Sequence, residues 1–62
     1  MELIGKQFKS KINGCMFRVI ELRQDNRQQY YVIKALSNGQ LCHADKRVFE
    51  EMVLANLDEI ED

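Results

Sequence analysis

Two Asn-Gly pairs, Asn13-Gly14 and Asn38-Gly39, each sit between runs of alternating apolar and polar residues, and this combination leaves few folds open. Asn-Gly is the strongest short signal for a two-residue hairpin turn, because both central residues of that turn need positive φ. Alternation at period two marks a strand with one buried face. An antiparallel sheet built from successive hairpins is the expectation.

With Asn13-Gly14 as the turn, Ile12 faces Cys15, Lys9 faces Arg18 and Phe8 faces Val19, since directly opposed residues point to the same side. One face then carries Phe8, Ser10, Ile12, Cys15, Phe17 and Val19 and is expected to be core. The other carries Gln7, Lys9, Lys11, Met16, Arg18 and Ile20, a solvent face with a basic middle. A slip of one residue would bury Lys9 and Lys11, so pattern and turn ask for the same faces.

The first strand is expected over residues 7–12 and the second over 15–23, with the polar stretch 24–28 as the tip of a second hairpin. Tyr30-Tyr31-Val32-Ile33 supplies a third strand. An even-numbered loop would bury Lys34; an odd one buries Tyr31, Ile33 and Ala35 and leaves Tyr30, Val32 and Lys34 outside. The cost of an unpaired buried charge favours the odd loop. Asn38-Gly39 then pairs Leu36 with Leu41, Ala35 with Cys42 and Lys34 with His43. Asp45 is a fair N-cap, and Val48, Phe49 and Met52 fall at helical spacing from Lys46 to about Leu54. Residues 54–62, with Leu57 and Ile60, fit either a last short strand or an extension of the helix.

Sixty-two residues make one domain, 1–62, with too little volume for a deep catalytic cavity. No apolar run approaches the ~20 residues that span a bilayer, and residues 1–6 lack the basic start and apolar stretch of a signal peptide. A cytoplasmic protein without a membrane partner is the expectation. Cys15 and Cys42, outside any CxxC spacing, read as small core residues. Cys42 and His43 leave a strand on opposite faces, so no metal site is expected. The net charge is −1 but uneven. Up to Lys34 there are seven bases and three acids, +4; from Ala35 onward two bases and seven acids, −5. The two halves can neutralise one another across the fold, or the basic half can meet an external anion.

These elements describe a mainly β, β-rich α+β fold: an antiparallel meander of four to five strands rolled into a small barrel, with one short C-terminal helix. The order Gly5-Lys6-Gln7-Phe8, the Asn13-Gly14 hairpin, Phe17-Arg18-Val19-Ile20, Tyr30-Tyr31-Val32-Ile33 and Asn38-Gly39-Gln40-Leu41 resembles small Src-homology-type β-barrel proteins. Short examples of that kind are encoded by phages and mobile elements of Gram-positive bacteria. The resemblance implies a small barrel and a mobile-element accessory protein; some such proteins bind host proteins or nucleic acid. The helix after Val48 departs from a plain five-stranded barrel.

Enzyme chemistry is not expected. There is one histidine, no nucleophile motif, no HExxH and no glycine-rich phosphate loop, and the three glycines serve a bend and two turns. Glu50-Glu51 and Glu61-Asp62 read as solvated carboxylates rather than an acid/base pair. No cofactor and no small-molecule substrate is implied.

The outer sheet face asks for a partner. Lys9, Lys11, Arg18, Ile20, Tyr30, Val32 and Lys34 are its candidate contact residues, and opposed like charges normally weaken a strand pair. Met16, Leu22, Leu36 and Leu41 would add apolar surface, a mixture that suits a protein partner or self-association. Binding of nucleic acid by the basic strip, with Tyr30 stacking on a base, is the alternative. In a strongly rolled sheet part of this face would instead turn inward.

Overall fold

A computed structural model describes residues 2–60. Five strands and one helix follow in the order β1 (Gln7–Ser10), β2 (Met16–Asp25), β3 (Gln28–Ala35), β4 (Leu41–Asp45), α1 (Lys46–Ala55) and β5 (Leu57–Ile60). The expectation of a mainly β chain with one short helix is met, and the tail left open between strand and helix is a strand through Ile60. Glu61 and Asp62 lie outside the described residues. All strand pairs are antiparallel, in the sheet order β4-β3-β2-β1-β5.

The sheet is open. β4 and β5 are its two edges, and no ladder joins them, so the closed barrel expected from the meander is not formed. The helix accounts for this: α1 runs from the end of β4 to the start of β5 and packs on β3, β4 and β5. Its Asp45 cap accepts from the Arg47 and Val48 N–H groups at 3.1 and 3.2 Å, satisfying two of the donors that a helix start leaves unpaired.

Beneath the helix lies the core: Leu3, Phe8, Val19, Tyr31, Phe49 and Leu57, with Phe17, Leu22, Ile33, Ala44 and Val53 packed around them. Phe49, from the helix, stands among three rings of the sheet, with centroids 6.2 Å from Phe8, 5.8 Å from Phe17 and 5.3 Å from Tyr31. Leu3 is buried there, while its neighbour Ile4 is exposed.

Both Asn-Gly pairs close hairpins, but not as two-residue turns. The Ser10 N–H donates to the Cys15 carbonyl and the Gly14 N–H to the Ser10 carbonyl, at 2.8 and 3.0 Å, so residues 11–14 form a four-residue loop. The second loop repeats this: Ala35 N–H to Gln40 carbonyl at 2.9 Å and Gly39 N–H to Ala35 carbonyl at 2.8 Å. In each, the Asn carboxamide oxygen accepts the N–H two residues on, from Cys15 at 3.0 Å and Gln40 at 2.9 Å. Only the glycine has positive φ, 74° and 73°. The asparagine is spent on a side-chain turn rather than on the left-handed conformation that a two-residue turn would require.

Each register therefore slips by two residues. Phe8 faces Phe17 rather than Val19, Lys9 faces Met16 rather than Arg18, and Lys34 faces Leu41 rather than His43. A slip of two preserves faces. It also lifts Ile12 and Cys15 out of the strands, and both are exposed, against the expectation that they are core. Cys42 is exposed as well, on the edge strand.

The second hairpin corrects a different step. Its turn has two residues, Asn26 and Arg27, because Asp25 pairs with Gln28, and Asn26 takes φ 56°. An even loop should bury Lys34. A β-bulge between Val19 and Glu21 prevents this: Leu22 pairs with Tyr31, whereas Val19 pairs with Ile33 and Phe17 with Ala35. The extra residue, Ile20, exchanges the faces halfway along β2. Tyr31, Ile33 and Ala35 thus face the helix as expected, and Leu22, assigned to the outer face from sequence, joins the core.

Candidate functional site

The face turned away from α1 is built by cross-strand rows. Gln7, Arg18, Lys34 and Leu41 form one, and Ile60 extends it opposite Gln7. Asp58, Lys9 and Met16 form the next, toward the two Asn-Gly loops, and Leu36 joins it through its N–H bond to the Met16 carbonyl at 3.0 Å. The opposed like charges are therefore Arg18 and Lys34, not Lys9 and Arg18. Lys9, Arg18 and Lys34 make no ion pair among the described residues. Lys9 and Lys34 hold equivalent places, each just before the first residue of its hairpin closure, each with Cε about 4 Å from where a Cβ on Gly14 or Gly39 would lie. Around these cations Met16, Ile20, Leu36 and Leu41 are exposed, Ile20 at 38% and Leu41 at 58%.

The other candidates separate from this group. Lys11 belongs to the first loop, and its ammonium is 3.5 Å from the Asp58 carboxylate. Lys6 meets Glu59 at 3.4 Å. Both bridges tie β5 to the β1 side of the sheet, so part of the charge asymmetry is cancelled within the fold. Each is half-exposed and weakly stabilising.

Val32 shares the outer face but is only 3% exposed. It lies between Glu21 and His43, its direct partners on β2 and β4. Tyr30, two residues away, stacks on the His43 ring with centroids 4.8 Å apart. One face of the Tyr30 ring is thereby taken. The pairing was hidden from sequence by the two-residue slip, which brings His43 opposite Val32 and next to Tyr30.

At the opposite end of the molecule, an open polar groove of about 410 Å³ lies between the β2–β3 turn and the start of α1, lined by Arg27, Gln28, Gln29, Asp45, Lys46, Arg47 and Glu50. Both of its carboxylates are already engaged, Asp45 as the cap of α1. The buried Tyr31 hydroxyl donates to Glu50 Oε2 at 2.8 Å, and the Lys46 ammonium donates to Oε1 at 3.1 Å. Burial, then the Glu50 carboxylate, pushes the Tyr31 hydroxyl up to about 12, while Tyr31 first and Lys46 second hold Glu50 below its ordinary value. Stability from Tyr31 is full below its unfolded value of 10.0 and is lost as pH rises toward about 12. Stability from Glu50 is present above its unfolded value of 4.5 and is lost as pH falls through the lower folded value. Thermal unfolding against pH should therefore show a Tyr31→Phe variant losing less than wild type between pH 10.0 and about 12. Parallel losses in the two proteins would refute that assignment.

Among the described residues no three His, Cys, Asp or Glu side chains are grouped to hold a metal ion, and no helix is long and apolar enough to cross a membrane. No family model, curated protein or solved structure matches this chain.

Proposed function

We propose that this chain is a non-enzymatic binding module that takes a protein partner on the outer face of its sheet. The observation that carries this reading is the group Lys9, Arg18 and Lys34, none of them in an ion pair among the described residues, set among exposed Met16, Ile20, Leu36 and Leu41. Opposed cations weaken a sheet, and exposed large apolar side chains gather water around them. A partner segment that alternates carboxylates with apolar side chains relieves both. Nucleic acid is the weaker reading: three free cations are few for phosphate binding, and Tyr30 is already stacked.

A displayed random-peptide library, selected on the purified protein, separates the two. Acidic-apolar peptides should be enriched. Their affinity should fall at least about tenfold both in the Lys9→Ala, Arg18→Ala, Lys34→Ala triple variant and in Ile20→Glu. A folded triple variant with undiminished peptide affinity overturns the reading. Oligonucleotide binding that falls steeply with salt and survives Ile20→Glu would replace it with the nucleic-acid alternative.

A further inference from the structure

The two edges of the sheet are not alike. β5 has four residues, and two of them, Asp58 and Glu59, are acidic and held by Lys11 and Lys6. A second β5 laid alongside would meet like charges, the ordinary device by which edge strands are kept apart. β4 carries one charge, Asp45, at the end where it caps α1. Leu41-Cys42-His43-Ala44 contains no carboxylate, lysine, arginine or proline, and no bulge interrupts its pairing with β3.

The hydrogen-bond pattern shows what this edge offers. Ala35 and Gln40 are bonded across the second hairpin, and bonded and non-bonded pairs alternate along an antiparallel ladder. Cys42 with Ile33 and Ala44 with Tyr31 are then the bonded pairs of β3 and β4. Leu41 and His43 turn their N–H and C=O groups away from β3, toward the open side. Two donors and two acceptors stand there in strand geometry.

We propose that the β4 edge takes a second copy of this chain, antiparallel and two-fold, centred on Cys42, so that the two sheets continue as one. In this register Leu41 of each copy bonds His43 of the other, and the outward groups of both residues are satisfied. The strand is its own complement: it brings no like charges together, and only small side chains, Cys42 and Ala44, stand on its helix-side face at the seam. A two-fold centred on His43 would instead set Asp45, already the cap of α1, against Leu41 of the other copy. With five residues per strand the contact is small, and the dimer forms at high protein concentration rather than at trace levels. This edge shares only Leu41 with the cationic face and bonds through its backbone, whereas that face offers side chains, so the dimer stands or falls separately from the peptide binding proposed above.

Amide exchange followed by NMR at low and high protein concentration tests it. The Leu41 and His43 amides should exchange freely in dilute protein and become protected on concentration, while Cys42 and Ala44 are protected throughout. Sedimentation should show a monomer–dimer equilibrium that Cys42→Lys abolishes and Cys42→Ser leaves intact. Mild oxidation should trap a disulfide-linked dimer through Cys42, because non-bonded partners lie about 4.5 Å apart at Cα, within disulfide reach. Cys15→Ser should be trapped equally well and Cys42→Ser not at all. A protein that stays monomeric at every concentration overturns the proposal. So does a dimer that survives Cys42→Lys, or one that leaves the Leu41 and His43 amides unprotected.

Discussion

Phe49→Ala should leave the chain largely unfolded at room temperature. Phe49 is 1% exposed and is the one fully buried residue that the helix contributes. Removing a buried phenyl ring costs about 3–5 kcal/mol through lost transfer energy and the cavity left behind. A domain of this length has roughly 3–9 kcal/mol of total stability, so the loss is comparable to the whole. Collapse cannot readily refill the space, because its walls are the rings of Phe8, Phe17 and Tyr31, each held on a strand. Urea unfolding followed by circular dichroism reads this directly. Phe49→Leu, which keeps most of the volume, should retain a cooperative transition at a lower midpoint. An Ala variant within about 1 kcal/mol of wild type would mean that the helix is not docked as described.

Val32→Glu should be nearly as damaging, and Ile20→Glu nearly silent in stability, although sequence alone assigns both residues to one outer face. Val32 is boxed in by Glu21 and His43, and a carboxylate there would be desolvated beside an existing acid. An unpaired buried charge costs several kcal/mol, part of which is recovered only if the new group stays protonated. Ile20 is exposed, its replacement leaves the backbone of the bulge in place, and changes at exposed side chains usually stay within about 0.5 kcal/mol. Melting curves of the two variants decide the matter. Equal destabilisation would contradict the burial difference between the positions. The contrast also makes Ile20, and not Val32, the usable probe of partner binding.

Much of the fold is legible in the sequence because parity is robust. Period-two alternation assigns Phe8, Phe17 and Val19 to the buried side, and a register error of two residues changes none of them; Tyr31 and Ile33 follow from the cost of burying Lys34. Asp45 and the spacing of Phe49 locate the helix because capping and periodicity are local. The closures of the hairpins are not legible in the same way. Asn-Gly is compatible with two loop lengths, and the choice rests on whether the Asn side chain caps the turn, as Asn13 and Asn38 do. Nor does any residue type announce the bulge at Ile20. It arises from a conflict between a two-residue turn at Asn26-Arg27 and the cost of burying Lys34, and that conflict is settled only when the whole ladder is assembled. The candidate face inherits these errors. Arg18 and Lys34 are correctly placed on it, Lys11 is drawn away by Asp58, and Val32 is sealed by a histidine that the slip brings opposite.

The bulge also sets what kinds of sequence change the chain can absorb. On either side of Ile20 the sheet obeys one rule of inside and outside, and the single surplus residue reconciles the two halves. Shortening β2 by that one residue would keep its composition almost unchanged. It would set Leu22 two positions after Val19, on the same face and still opposite Tyr31, so the ladder would become regular with no core residue turned outward. Drift by point replacement is therefore open across most of the exposed surface, and the loss of one residue within this strand is absorbed at the bulge with the Asn26-Arg27 turn unchanged. Descendants of this chain should vary freely in letters on the exposed surface, and where β2 differs in length the difference should be one residue, at the bulge.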